Sequence, residues 1–208
     1  TIDINDGDRD FTIQGGQSLL SALVEQKIFI PSACGGRGTC GFCKCKIKEG
    51  GGLLLPTETP FLSPEEVKND IRLSCQVKVR NDIRIEIPKD ILSVREYQCV
   101  CEKIEDLTYD MKRFRFALQD PPTIDFTPGQ YIQLLTPRYE GSNEEVYRAY
   151  SIASDPADKG HIDLIIRRVP NGICTTYCFD YLKEGMPMKL NGPYGDFRLS
   201  DSDKPMVC

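Results

Sequence analysis

Several features are scarce in this chain of 208 residues, and each scarcity removes a class of function. There is one histidine, His161, beside the turn Lys159-Gly160; it reads as a solvent-exposed turn residue, and no cysteine has a histidine near it in sequence to act as its base. No apolar run approaches the roughly 18 to 20 residues that a bilayer crossing needs, so no membrane span is expected in this stretch. The chain opens Thr1-Ile2-Asp3-Ile4, without the charged and apolar regions of a secretory leader. Positive charge is not in excess: the net charge of −5 argues against nucleic acid, whose binding runs on neutralising phosphates. Internal repeats and low-complexity segments are absent too.

Cysteine, by contrast, is plentiful, with ten residues. Without a leader these are not a secreted disulfide scaffold, and in a reducing compartment clustered cysteines point to metal or redox work. The expected location is therefore cytoplasmic.

The N-terminal half reads as a hairpin (Ile2, Ile4, turn at Asn5-Asp6-Gly7, Phe11, Ile13), then a helix over Ser18 to Gln26 with Leu19, Leu20, Leu23 and Val24 at helical spacing. A glycine- and cysteine-rich loop from Pro31 to Cys43 follows, then a strand at 44–48 and a short helix opened by Ser63-Pro64-Glu65-Glu66. Strand residues Val77, Val79, Ile83, Ile85 and Ile87 complete the order of a β-grasp domain. After Pro88-Lys89-Asp90 the pattern changes to short strands at 114–118, 131–134, 148–152 and 162–167, with one helix at about 173–182. Strands at that spacing suggest a barrel.

Cys34, Cys40 and Cys43 form C-x5-C-x2-C in one loop, and Cys75 returns after 31 intervening residues. A [2Fe–2S] core takes four thiolates, two per iron. Gly35, Gly36, Gly38 and Gly41 let the backbone wrap closely and aim N–H groups at sulfur, and Thr39 can add a hydroxyl donor. Zinc is the alternative, but zinc knuckles usually supply two close pairs, whereas three ligands here crowd one loop. Buried structural cysteine does not explain the glycines. Cys45, two residues past Cys43 on a strand, is not counted as a ligand. Gly36-Arg37-Gly38-Thr39-Cys40-Gly41 matches a dinucleotide fingerprint by accident, because Pro31 precedes it and a strand follows. The cysteine pattern resembles the ferredoxin-type domains, with one residue more between Cys34 and Cys40 than in the plant spacing.

In the second half, Arg148-Ala149-Tyr150-Ser151 resembles the R-x-Y-S signature of the ferredoxin–NADP reductase superfamily. A guanidinium suits a pyrophosphate, an aromatic ring can pack on a flavin face, and a hydroxyl can bond a ring nitrogen. Gly172-Ile173-Cys174-Thr175 resembles the superfamily's phosphate-binding turn, and Ile165-Ile166-Arg167 the strand whose backbone meets the flavin. Pro128-Gly129-Gln130-Tyr131 and Gly192-Pro193-Tyr194-Gly195 fall in the same order. The resemblance implies FAD held by Arg148, Tyr150, Ser151, Ile165, Ile166, Arg167, Gly172, Ile173, Cys174 and Thr175, with Tyr150 and Ser151 nearest the chemistry. Cys99, Cys101 and Cys178 are read as packing residues.

The expected fold class is α+β: a β-grasp [2Fe–2S] ferredoxin domain over residues 1–90, a linker at 91–96, and an antiparallel β-barrel flavin-binding domain over 97–200. Pro205-Met206-Val207-Cys208 reads as the opening of a truncated nicotinamide domain at 201–208. Ile30-Pro31-Ser32-Ala33-Cys34-Gly35-Gly36 and Gly51-Gly52-Leu53-Leu54-Leu55-Pro56-Thr57-Glu58 resemble the F subunits of sodium-translocating NADH:quinone oxidoreductases. That resemblance implies electron transfer from NADH through FAD to the cluster and on to a redox partner protein or membrane quinone-reductase complex. It also implies membrane association through the complex or an N-terminal helix that this stretch does not include. Two departures from those subunits are that helix and a short connection near Glu140. The alternatives are the reductase of an oxygenase and a simple one-electron carrier.

Overall fold

Ile2 and Ile4 alternate with polar neighbours, so one face of β1 (Ile2–Ile4) is buried while its edge pairs antiparallel with β2 (Arg9–Phe11). The computed structural model describes residues 1–197. Helix α1 (Leu19–Glu25) starts on Ser18, whose hydroxyl accepts the Ser21 N–H, and buries Leu19, Leu20 and Leu23. Next come β3 (Lys44–Glu49), α2 (Pro64–Lys68), β4 (Ile71–Leu73) and β5 (Ile83–Glu86). A reciprocal Ser63–Glu66 capping box and Pro64 in the first turn start α2. The first sheet runs β2-β1-β5-β3-β4, with β1 and β5 parallel and the other pairs antiparallel. Leu19, Leu20 and Leu23 of α1 share one core with Ile2, Ile4, Ile47, Ile83 and Ile85. This is the expected β-grasp arrangement.

A short helix α3 (Lys89–Ser93) leads to β6 (Arg95–Asp106), β7 (Met111–Asp120), β8 (Tyr131–Thr136), β9 (Val146–Ser151) and β10 (His161–Arg167). Helix α4 (Ile173–Thr176) continues into a wider π turn (Tyr177–Tyr181), and β11 (Pro187–Tyr194) follows. The second sheet is antiparallel throughout, in the order β10-β7-β6-β11-β8-β9. Its edges curl together where Ile152 bridges Leu164 and the Ala153 N–H donates to Asp163 O at 2.8 Å. Phe114, Phe116, Ile132, Leu134 and Leu164 fill the interior.

Some elements differ from the expectation. Val77 and Val79 are buried but form no strand, because their backbone bonds to the segment ahead of α1 (Leu19 N–H to Val77 O, 2.8 Å). β4 and β11 are additions to the expected strands: β4 is three residues long, and β11 is irregular between Asn191 and Tyr194, where Gly192-Pro193 lies. Residues 91–96 hold the end of α3 and the start of β6, and Ile91 and Leu92 pack on the first core. The strand expected at 205–208 lies outside the described residues. Among the described residues no helix is long and apolar enough to cross a membrane.

One buried ion pair organises the first unit. Glu58, with no exposed surface, accepts Arg72 Nε at 2.9 Å and Nη2 at 2.6 Å, and also the N–H groups of Leu55 and Leu73, each at 3.0 Å. Arg72 spends its other donors on Gly52 O (3.0 Å) and Leu53 O (2.9 Å). Burial works against the Glu58 charge, but the guanidinium and the two N–H groups outweigh it and hold the carboxyl below its usual range. A folded value below the unfolded one gives a contribution that is complete above the unfolded carboxylate range and is lost as pH falls through the folded value. Glu58→Gln, which leaves Arg72 buried and uncompensated, is expected to cost about 3–5 kcal/mol at neutral pH. In urea titrations its deficit should shrink as the solution is acidified; a constant deficit would contradict the assignment.

Candidate functional site

The β3–β4 ladder pairs Lys44 with Leu73, and the Ser74 N–H donates to Cys43 O at 2.8 Å. That register carries Cys75 to Cys43, near enough for each thiol to shift the other's pKa. Cys34 and Cys40, at the two ends of the glycine-rich turn, have Sγ atoms 3.4 Å apart. The sequence-chosen thiols therefore form two pairs, 34/40 and 43/75. Thiolates on one tetrahedral metal lie roughly 3.7 Å apart at metal–sulfur bonds near 2.3 Å, so each pair suits one iron. Among the described residues no three His, Cys, Asp or Glu side chains meet around a single point fit for one ion.

The electrostatics distinguish these thiols from the rest. Cys34 is opposed by burial, yet the Thr39 N–H, the Cys40 thiol, the Thr39 hydroxyl and the Arg37 N–H bring it down to about 7. Cys75 is brought to about 6, mainly by the Cys43 thiol, against burial and with help from the Gln76 amide and the Gly38 N–H. Cys43 is raised, first by the neighbouring Cys75 thiol and then by burial. Cys45, facing the core, is pushed up to about 12 by burial; so is Cys99, and Cys101 goes to about 11. Gly38 lies under Gln76, whose Nε2 donates to Cys75 Sγ at 3.4 Å.

The flavin candidates lie on β9, β10 and α4. Arg148 and Tyr150 share a face of β9, opposite Leu134 and Ile132 of β8. The Tyr150 hydroxyl and the Arg148 guanidinium are both close enough to the Cys174 thiol to favour its charged form. Cys178 Sγ stands 4.0 Å from Cys174 Sγ, and its hydrogen bond is the largest influence drawing Cys174 to about 7. Gly172 opens α4, where a Cβ would come within 2.5 Å of Thr175 Oγ1. The Thr175 hydroxyl bonds back to Val169 O at 3.2 Å, and Ile173 O accepts the Tyr139 hydroxyl at 2.9 Å. Ser151 and Ile165 are exposed on the two converging edges, whereas Ile166 points into the core. The Arg167 side chain turns to Asp110, with Nε 2.8 Å from the carboxylate. His161 pairs with Asp158 at 2.8 Å, apart from both sites.

Both candidate sites meet at one place. The Arg148 guanidinium donates to Tyr147 O at 2.8 Å and lies so close to Gly35 of the cysteine loop that a Cβ there would collide with it. Tyr131 of β8 is raised to about 12, by burial and then by its nearness to Cys40. Sequence reasoning missed the residues behind this contact, Gln133 and Asn191; a lone glutamine in Tyr131-Ile132-Gln133-Leu134 and an asparagine before Gly192-Pro193 carry no recognisable signal.

Residues 2–80 match the 2Fe-2S iron-sulfur cluster binding domain family, and residues 98–199 the oxidoreductase FAD-binding domain family. The chain therefore carries an iron–sulfur cluster binding domain followed by a flavin-binding domain, the domain pair of an iron–sulfur flavoprotein. Along its whole length it is similar to the F subunit of the Na(+)-translocating NADH-quinone reductase of Neisseria gonorrhoeae, 35% identical over 242 aligned positions covering 100% of this chain and 59% of that one. The same-named protein of Idiomarina loihiensis is 34% identical, covering 98% of this chain and 58% of its own. The chain thus spans about three-fifths of the length of these relatives. An aligned span of 242 positions for 208 residues also means that the relative carries insertions within the match. Among solved structures, the Amycolatopsis cytochrome P450 reductase GcoB has a TM-score of 0.64 at 27% identity, covering 98% of this chain and 60% of that one. The ferredoxin reductase of carbazole 1,9a-dioxygenase has a TM-score of 0.61 at 25% identity, covering 97% and 60%.

The loop's tolerance is testable at Gly41, which has φ +72° and would place a Cβ 2.9 Å from Phe61 Cβ. Gly41→Ala is expected to cost roughly 1–3 kcal/mol of backbone strain and to lower iron per chain. Adding Phe61→Ala removes the ring atoms at 3.0 and 3.2 Å but leaves the Cβ contact and the backbone strain, so iron content measured colorimetrically should recover only in part.

Proposed function

We propose that this chain is the electron-transfer portion of an NADH-dependent flavin and iron–sulfur oxidoreductase. Cys34 and Cys40 hold one iron of a [2Fe–2S] cluster and Cys43 and Cys75 the other. Arg148 and the Gly172–Cys174–Thr175 turn, with Ile173, take the pyrophosphate of FAD. Tyr150 packs on the ring system, Ser151 bonds to it, and Ile165, Ile166 and Arg167 contribute backbone. FAD supplies the exchange between paired and single electrons, and the cluster supplies one-electron steps. The protein's own work is to hold both groups, exclude water from Tyr150 and Cys174, and keep thiolate charge stabilised by N–H donors in the loop. The observation that carries the reading is the contact of Gly35, in the cysteine loop, with Arg148 of the flavin signature.

NADH as reductant and a quinone-reductase complex as partner follow from what these relatives are named for, and membrane association would come through that complex. The role of an oxygenase reductase is the second reading, favoured by the likeness to the P450 and carbazole dioxygenase reductases. The visible spectrum of the anaerobically purified chain tests the common part. Flavin and iron–sulfur absorption together support it; iron–sulfur absorption alone points to a simple carrier, and zinc without iron overturns the cluster.

Two variants separate the centres. Arg148→Ala should lose most of its FAD and keep its iron, whereas Cys75→Ser should lose iron and keep flavin; retention of full flavin by the first would remove Arg148 from the site. Nicotinamide binding is proposed to belong to the part of the relatives that this chain does not span. Mixing the chain with NADH in stopped flow should therefore reduce its flavin slowly, and rapid bleaching would place hydride transfer within these residues.

A further inference from the structure

Between the two sheets runs a hydrogen-bonded chain that neither candidate site uses. It begins at Ser32, two residues before Cys34, whose backbone N–H reaches Gln133 Oε1 at 3.0 Å. An N–H can only donate, so the Gln133 amide is fixed with its oxygen toward Ser32. Its nitrogen then donates to Asn191 Oδ1 at 3.2 Å. The same oxygen accepts the Tyr194 hydroxyl at 2.6 Å, and that hydroxyl also lies 3.3 Å from Phe29 O. The chain leaves the iron–sulfur unit at Ser32 and returns to it at Phe29.

All of this is shut away from water: Gln133 is 2% exposed, Asn191 0% and Tyr194 4%. Aromatic contacts flank it, with Tyr194 stacked on Tyr131 at 5.3 Å and the Phe29 ring meeting Tyr147 at 6.2 Å. The Asn191 amide nitrogen is left without a hydrogen-bond partner. An apolar seam would join two sheets with less desolvation of polar groups. What the polar chain adds is register, since only one placement of the 29–35 segment satisfies every link.

The geometry points to Gln133, Asn191 and Tyr194 as positioning residues that set the separation between the Cys34–Cys40 end of the loop and the flavin cleft, and with it the rate of electron exchange between them. This rests on the proposed function and names the residues that make the two centres one device. The step is a single-electron transfer from reduced flavin to oxidised cluster, with no bond made or broken.

The test uses the full chain carrying both groups, as wild type, Gln133→Leu and Tyr194→Phe. Hydrogen–deuterium exchange followed by mass spectrometry reads the 29–36 segment, and photochemical reduction of the flavin followed by the rise of reduced cluster reads the transfer. Both variants are expected to exchange faster in that segment. Their transfer should be slowed roughly tenfold, as small misplacements of reacting groups commonly are, with iron, flavin and both reduction potentials unchanged. Unaltered transfer overturns the inference, even if the melting temperature falls, because a merely structural role predicts that result. Should Gln133→Leu fail to fold, Tyr194→Phe decides, since it removes one oxygen and keeps the stacked ring. A wild-type chain that takes up only one of the two groups would instead sink the proposed function.

Discussion

The four-way bond of Glu58 is the constraint on which the first unit depends. Between Cys43 and Cys75 the chain leaves the sheet, runs through Gly50, Gly51 and Gly52, and returns as β4. A loop of that length has many ways to close. Glu58 removes the choice by bonding Arg72 and Leu73 on one side and Leu55 on the other. Arg72 ties down the same loop through Gly52 and Leu53 carbonyls. With Arg72 and Leu73 held, Cys75 has little freedom, and it meets Cys43 because Ser74 is already bonded there. Such a pair adds less to stability than its bonds suggest, since both charges are desolvated. Its value lies in fixing where the fourth thiol arrives.

Parity on the strands explains how one barrel serves two neighbours. On β8, Ile132 and Leu134 face the interior with Arg148 and Tyr150 opposite them on β9. The alternate residues, Gln133 on β8 and Tyr147 on β9, face outward. The outward set receives Ser32 and Phe29 of the iron–sulfur unit; the other set lines the cleft beside Cys174. Arg148 and Tyr147 are adjacent, so the two surfaces meet at β9, where Gly35 rests. The proximity of the centres is therefore a property of one strand.

Much of this was legible from residue types. Four cysteines at that spacing, with glycines between three of them, announced a cluster loop, and Arg148-x-Tyr150-Ser151 announced a flavin strand. The division of the thiols into 34/40 and 43/75 was not legible, because it depends on β4, a strand of three residues with no alternation to detect. The partner of the Arg167 side chain was not legible either, since Asp110 is distant in sequence. Gln133 and Asn191 were invisible for the same reason, as a polar residue on a strand normally signals a solvent face. Local chemistry survives in sequence; partnerships between distant segments do not.

The contrast among the cysteines separates cluster chemistry from packing. All nine cysteines among the described residues are free thiols, and most are buried. Burial alone should raise every one, as it does Cys45, Cys99 and Cys101. Cys34 and Cys75 go the other way: against burial, the Thr39 N–H leads in lowering Cys34, while the Cys43 thiol leads in lowering Cys75, helped by the Gln76 amide and the Gly38 N–H. Gly38 can do so because its φ of +72° turns the peptide inward. Cys174 is also lowered, but by Cys178, Thr136 and Tyr150 side chains, and it has a single thiol for company. A metal site needs backbone donors that persist whatever the side chains do, and two thiols for each iron. Among the described residues, only the 34–43 loop with Cys75 combines both.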